Sequence, residues 1–154
     1  MPNPAETAAT ALGVKSALLR HGPVASVAEA ARAQGVEIQD LVKTLVVRRG
    51  DDDYVLVLVP GDRSISWPKL RALLGVNRLS MPNAEVALAA TGYERGTITP
   101  FGAAGSWPVI ADERTRGRTI NLGAGERGAG LQVEADEAVA ALGGQFADVT
   151  EDAA

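Results

Sequence analysis

The chain has 154 residues, 46% of them hydrophobic and only 4% aromatic, with a formal net charge of −4. That length fits one domain whose core is built from Ala, Val and Leu, and the negative charge argues against a dedicated nucleic-acid binder. The absence of cysteine excludes a disulfide framework, a thiolate metal site and a thiol nucleophile.

Charge is unevenly spread. Up to Val42 there are three basic and four acidic residues, from Lys43 to Arg127 twelve basic and nine acidic, and from Gly128 onward six acidic and no basic ones. A positive surface would therefore come from the middle of the chain. The opening stretch, MPNPAETAATALGVKSALLR, lacks the charged start and solid apolar segment of a signal peptide, and no apolar run is long enough to span a bilayer. These absences point to a cytoplasmic protein.

In chain order, residues 5–20 read as a helix stopped by His21-Gly22-Pro23. Ser26-Val27-Ala28-Glu29 is a capping-box signature for a second helix ending near Gly35. Two strands follow at 41–49 and 54–59, joined by the hairpin turn Gly50-Asp51-Asp52-Asp53. Pro60-Gly61-Asp62 turns the chain, Ser66 caps a helix with Pro68 in its first turn, and that helix runs to Gly75. Asn83 caps another helix over 84–90, and a glycine-rich loop occupies 91–102. Short strands at 107–111, 119–122 and 131–133, a helix over 134–142 and a last strand at 146–149 complete the reading. Hairpins with irregularly spaced helices give an α+β fold: one domain over 1–154, with a mixed, mostly antiparallel sheet and flanking helices. An N-terminal helical segment, about 5–35, precedes a core at about 36–149.

Within the first strand a lysine interrupts an apolar run. A period of two puts Leu41, Lys43, Leu45 and Val47 on one face and Val42, Thr44 and Val46 on the other. Lysine is depleted in strands and its ammonium is costly to desolvate, so Lys43 is either a strand-end residue snorkelling to water or a functional cation.

Other chemistry is poorly supplied. The single histidine, His21, sits at the expected helix stop, where it suits the helix C-terminus better than a metal or a Ser-His-Asp triad. Asp51-Asp52-Asp53 lacks the spacing of a calcium loop and reads as a solvated turn. Gly123-Ala124-Gly125-Glu126-Arg127-Gly128 matches G-x-G-x-x-G, but a strand follows where a dinucleotide site needs a helix, which leaves a tight connection with close backbone approach. Gly96-Thr97-Ile98-Thr99-Pro100-Phe101-Gly102 could bring backbone amides to a carbonyl oxygen or phosphate, or be a long structural turn. No metal or cofactor is expected.

Three ordered segments add a resemblance. Val42-Lys43-Thr44-Leu45-Val46-Val47, then Val59-Pro60-Gly61-Asp62-Arg63, then Gly92-Tyr93 through Gly96-x-x-x-Pro100-Phe101-Gly102 resemble the YbaK/prolyl-tRNA synthetase-associated editing domain family. Val109-Ile110-Ala111-Asp112-Glu113 and Ile120-Asn121-Leu122-Gly123-Ala124-Gly125 are similar to that family's later strands, so the resemblance covers roughly 35–147. It implies a free-standing, trans-acting aminoacyl-tRNA deacylase that hydrolyses the ester of mischarged tRNA of the proline class. The amino acid would be small, such as Ala, Ser, Cys or Thr, and a substrate-assisted, lyase-like variant is open for Cys.

By the same resemblance Lys43 is the catalytic residue, Thr44 a pocket residue, and Gly96 and Pro100 part of the loop beside the reacting ester. Thr99, Phe101 and Gly102 are expected to contact substrate with that loop, and Asp112 is a further expected contact and a candidate base for the water. Thr44 stands where some alanine-directed relatives have asparagine. The late histidine that some relatives use has no counterpart here, since His21 is the chain's one histidine. The implied partners are mischarged aminoacyl-tRNA and, in a transient complex, prolyl-tRNA synthetase, without membrane or DNA. A non-catalytic tRNA-binding or regulatory module with this fold is the rival, and a hydrolase of simple amino-acid esters a second one.

Overall fold

The computed structural model describes residues 2–153. Helix α1 (Pro4–Ala11) is opened by Asn3, whose side chain accepts from Glu6 N, with Pro4 in the first turn. It stops well short of the expected helix over 5–20. Gly13 takes a left-handed φ of +78°, and the chain continues as strand β1 (Ser16–Arg20), which pairs antiparallel with β7 (Ala129–Glu134). The apolar residues of 16–20 suit either state locally, and the distant partner decides. The N-terminal segment is thus a helix, a strand and a second helix, α2 (Val27–Gln34). Ser26 caps α2 and Gly35 ends it in the left-handed region.

Strands β2 (Val42–Gly50) and β3 (Asp53–Pro60) form the expected hairpin. β3 also pairs in parallel with β5 (Val109–Asp112), and β5 in parallel with β8 (Gln145–Ala147), giving a four-stranded mixed sheet in the order β2-β3-β5-β8. A second sheet, β1-β7-β6, is antiparallel, with β6 at Thr119–Gly123. The three-residue strands β4 (Arg63–Ile65) and β9 (Thr150–Asp152), absent from the sequence reading, pair antiparallel with each other. Helices α3 (Trp67–Leu74), α4 (Ala84–Thr91) and α5 (Ala135–Ala141) complete the α+β fold; Ser66 caps α3 and Asn83 caps α4.

The four-stranded sheet separates two apolar layers, as alternation along its strands requires. On one side Val42, Val46, Leu56, Leu58 and Ala111 pack with β6, β7, α1, α4 and α5; on the other Leu45, Val47, Val55, Val57, Val59 and Ile110 pack with Ile65, Leu70 and Val149. Complete burial of Leu56 and Leu58 contributes roughly 1.5–3 kcal/mol each. Among the described residues no helix is long and apolar enough to cross a membrane.

Candidate functional site

β2 is a terminal strand of its sheet, and its free side borders a cavity of about 870 Å³, a size typical of small-ligand sites. Consecutive residues from Leu41 to Val46 line it, because the strand meets it edge-on rather than by one face. α2 and β6 supply the facing walls, through Ala30, Gln34, Leu122 and Gly123, and the segments around Met81 and Gly96 close the sides.

Lys43 lies on the face shared by Leu45 and Val47, as the alternation requires. It is half-buried and lines the cavity, and its Nζ donates to the Arg63 carbonyl at 3.0 Å. Burial lowers its pKa from the ordinary lysine value, partly offset by the nearby Asp62 carboxylate. Its hydrogen-bond acceptor is neutral, so positive charge is held beside the cavity without a carboxylate hydrogen-bonded to it.

Thr44 points to the opposite face. It is 7% exposed, and its Oγ1 is fully buried with no hydrogen-bond partner among the described residues. A buried hydroxyl left unpaired costs about 1–3 kcal/mol, an arrangement that a ligand could relieve.

Of the other expected site residues, Gly96 lines the cavity, with Ile98 from the same loop. Thr99, Pro100, Phe101, Gly102 and Asp112 do not. Thr99, Pro100 and Phe101 are buried, and Tyr93 Oη donates to the Phe101 carbonyl at 2.7 Å, so the loop is wound around Tyr93. Gly102 faces α1, where a Cβ would sit 3.1 Å from the Pro4 carbonyl. Loop amides are also committed internally: Thr97 N donates to Glu94 O, and Phe101 N to Thr99 Oγ1. Asp112, 0% exposed, accepts from Thr150 Oγ1 at 2.8 Å and from Val149 N at 3.4 Å, and pairs with Arg114. Its carboxylate ties the end of β5 to the C-terminal strands.

His21 is a wall residue that the sequence reading set aside. With β1 replacing the expected helix, His21 N donates to Gly128 O and the side chain reaches the cavity. The Gly22 carbonyl, 2.8 Å from Nδ1, can only accept, so Nδ1 carries the proton of the neutral ring, and Nε2 accepts from Gln34 Nε2 at 3.1 Å. Gln34 Oε1 in turn accepts from Asn121 Nδ2, and Asn121 Oδ1 accepts from Gln132 Nε2. This amide chain runs from the cavity through the fully buried Asn121 to β7.

The glycine cluster that failed as a dinucleotide motif makes this packing feasible. A Cβ at Gly123 would lie 2.5 Å from Ile98 O, one at Gly128 would lie 2.7 Å from His21 O, and one at Gly130 would overlap the Gln34 amide. The only sequence signal for His21 and Gln34 was this glycine spacing, which marks close approach but not its partner.

Charge at the cavity mouth is largely compensated. Glu126 pairs with Arg20 and accepts from Asn3 Nδ2, which holds its carboxyl below the usual range; Arg127 pairs with Glu94, and Arg95 donates to Pro82 O. Among the described residues no cluster of three or more acidic or histidine side chains could hold a metal.

Comparisons with known proteins bear on the fold and the family. The profile of the aminoacyl-tRNA editing domain matches residues 21–140. A proline–tRNA ligase of Thermosipho melanesiensis is 41% identical over 96 residues, 62% of this chain but 17% of that relative, so the chain spans less than a fifth of its length. EbsC of Enterococcus faecalis, provisionally named a Cys-tRNA(Pro)/Cys-tRNA(Cys) deacylase, is 29% identical over 121 residues, covering 78% of this chain and 74% of the relative. A crystal structure provisionally described as a trans-editing enzyme for prolyl tRNA synthetase superposes with a TM-score of 0.85 at 27% identity, over 98% of this chain and 99% of that one. A second, the hypothetical protein APE2540, gives a TM-score of 0.87 at 30% identity over 95% of this chain and 98% of that one. With the profile match covering most of its length, the chain belongs to the aminoacyl-tRNA editing domain family.

Proposed function

We propose that the protein is a trans-acting deacylase that hydrolyses the ester of mischarged aminoacyl-tRNA of the proline class. The observation that carries this reading is the pair on the edge of β2: a half-desolvated lysine beside a buried, partnerless threonine hydroxyl, both lining one cavity. An aminoacyl ester is already activated, so its hydrolysis needs orientation, a water and stabilisation of charge on the carbonyl oxygen. Lys43 supplies that charge, or engages the terminal ribose-phosphate, in surroundings drier than bulk water. Covalent catalysis by Lys43 is not part of the reading.

The proton acceptor for the attacking water falls to the substrate, through its amino group or a terminal ribose hydroxyl. The one histidine already spends the Nε2 lone pair on Gln34, and Asp112 lies away from the cavity. Thr44 Oγ1 favours a small side chain with its own hydroxyl or thiol, as in Ser, Thr or Cys, over Ala or cognate Pro. A site built around a hydrogen bond discriminates more strongly than one built on shape alone. Encounter with prolyl-tRNA synthetase fits the similarity to proline–tRNA ligases.

A panel of tRNAs charged with Pro, Ala, Ser, Thr and Cys, incubated with the pure protein, tests this reading. Cleavage of one or more small-residue esters well above the buffer rate is expected, with Pro-tRNA spared. A protein that binds these tRNAs but cleaves none would be a binding module instead.

A further inference from the structure

The free edge of β2 is closed at both ends and open in the middle. Leu41 bridges to Asn121 at one end and Arg48 to Ser80 at the other; residues 42–46 between them line the cavity, with no strand paired to that edge among the described residues. The bridge at Arg48 fixes which peptide groups are exposed. Arg48 N donates to Ser80 O and Ser80 N to Arg48 O, so both polar groups of Arg48 point away from β3. The β2–β3 register runs without a shift from Val42 to Arg48, and in an antiparallel ladder this direction alternates. Thr44 and Val46 therefore turn their N–H and C=O outward, while Leu45 and Val47 bond to β3. Leu56, opposite Val46, agrees: its N–H goes to Pro108 O, on the β5 side.

We propose that the aminoacyl end of the substrate adds to this edge as a single-residue strand opposite Thr44. This rests on the deacylase reading and assigns its contacts. The amino group and ester carbonyl of an aminoacyl group are spaced like the N–H and C=O of one strand residue. The amino group donates an N–H to the Thr44 carbonyl, and the ester carbonyl oxygen accepts from the Thr44 N–H, as in a hydrogen-bonded antiparallel pair. Directly opposed residues of a ladder share a face. The side chain of an L-amino acid placed there lies beside Thr44 Oγ1, the buried hydroxyl without a partner, and Lys43 stands on the other face of the same strand. As water adds to the ester carbon, the Thr44 N–H and the Lys43 ammonium hold the negative charge on the carbonyl oxygen. The carbon–ribose oxygen bond then breaks, and the ribose oxygen leaves with the proton that the water gives up. An unpaired edge would elsewhere be a liability to cover or blunt; here the cavity keeps it open only to small ligands.

Amide resonances of the ¹⁵N-labelled protein, titrated with the non-hydrolysable 3′-deoxy-3′-(L-serylamino)adenosine, test the contact. The Thr44 N–H is expected to shift downfield and gain exchange protection, while those of Leu45 and Val47, already bonded to β3, serve as internal controls. Perturbation of Lys43 and Gly96 without Thr44 overturns the proposal and leaves the deacylase reading intact. No perturbation in the cavity, with no ester cleaved from the tRNA panel, overturns both. In parallel, Thr44→Pro removes the outward N–H without breaking the ladder to β3. It is expected to deacylate at least about tenfold more slowly than Thr44→Val, which keeps the N–H and lacks the same hydroxyl. Equal single-turnover rates in two folded variants would overturn the assignment, and the titration decides alone should the proline variant not fold.

Discussion

Lys43 Nζ meets the Arg63 carbonyl at 3.0 Å, so the cationic tip of β2 is anchored by the first residue of β4 rather than left to solvent. Lys43→Ala should retain the fold, since a part-buried side chain and one hydrogen bond are lost. Its single-turnover deacylation should fall at least about tenfold, the effect of removing ~1.4 kcal/mol of transition-state stabilisation. An unchanged rate in the folded variant would remove Lys43 from the chemistry.

Thr44→Val separates function from stability. It deletes a buried hydroxyl with no partner, so the variant should be more stable by about 1 kcal/mol, or roughly 2–4 °C in Tm for a chain of this size. Its preference for seryl, threonyl or cysteinyl over alanyl esters should shrink. Calorimetry with the tRNA panel reads both, and a drop in Tm would mean that the hydroxyl has a structural partner.

The depressed pKa of Lys43 gives stability and activity opposite pH trends. On the proposed role of Lys43, protein-dependent deacylation should decline with an alkaline limb below the ordinary lysine value of about 10.4, as its charge is lost. Across the same window, between the folded and unfolded pKa values, the unfolded chain binds more proton, so stability should rise with pH. Lys43→Met should abolish both trends. A rate profile flat to the ordinary lysine range would contradict the burial that causes the shift.

Asp112→Ala should act on the fold alone. It leaves the Thr150 O–H and the Val149 N–H without an acceptor and Arg114 paired with Asp148 alone, a loss of about 2–4 kcal/mol. Below its melting point the single-turnover rate should stay within about twofold of wild type, since the carboxylate is outside the cavity. A selective loss of rate at unchanged stability would restore a substrate role to Asp112.

Two glycine substitutions should part company. At Gly123 a Cβ meets backbone, 2.5 Å from Ile98 O and 2.9 Å from Thr97 O, so Gly123→Ala must displace the loop that carries Gly96, at about 1–3 kcal/mol and with slower deacylation. At Gly130 the obstacle is the end of the flexible Gln34 side chain. Gly130→Ala should be much milder in denaturant melts, yet detach Gln34 from His21, visible as a change in the imidazole ¹⁵N shifts.

Where pattern and neighbours agreed, the fold was legible. The alternation of β2, the aspartate-rich turn, and the caps at Ser26, Ser66 and Asn83 are local devices with local causes. The errors arose where a distant partner decides. Residues 16–20 become a strand only because β7 lies alongside, and β4 and β9 are too short to announce themselves without each other. The site followed the same division. Lys43 and Gly96 stood out because the interrupted apolar row and the loop glycines are local anomalies, Thr44 entered through the family resemblance, and all three line the cavity. Asp112 and the Thr99–Gly102 end of the loop instead spend their polar groups inside the fold. His21 could not be placed while its strand was read as a helix.

The hairpin's register carries a vulnerability that no point substitution matches. Deleting the residue between Leu41 and Lys43, with Leu41 held at its bridge to Asn121, would slide the pairing with β3 by one and turn each downstream side chain of β2 through half a revolution. The ammonium would be driven into oil and the hydroxyl out of its slot, with Thr44 in the former place of Lys43 and Leu45 in that of Thr44. Length in this strand is therefore under tighter constraint than composition: conservative replacements would degrade the site by degrees, whereas a lost codon would dismantle it.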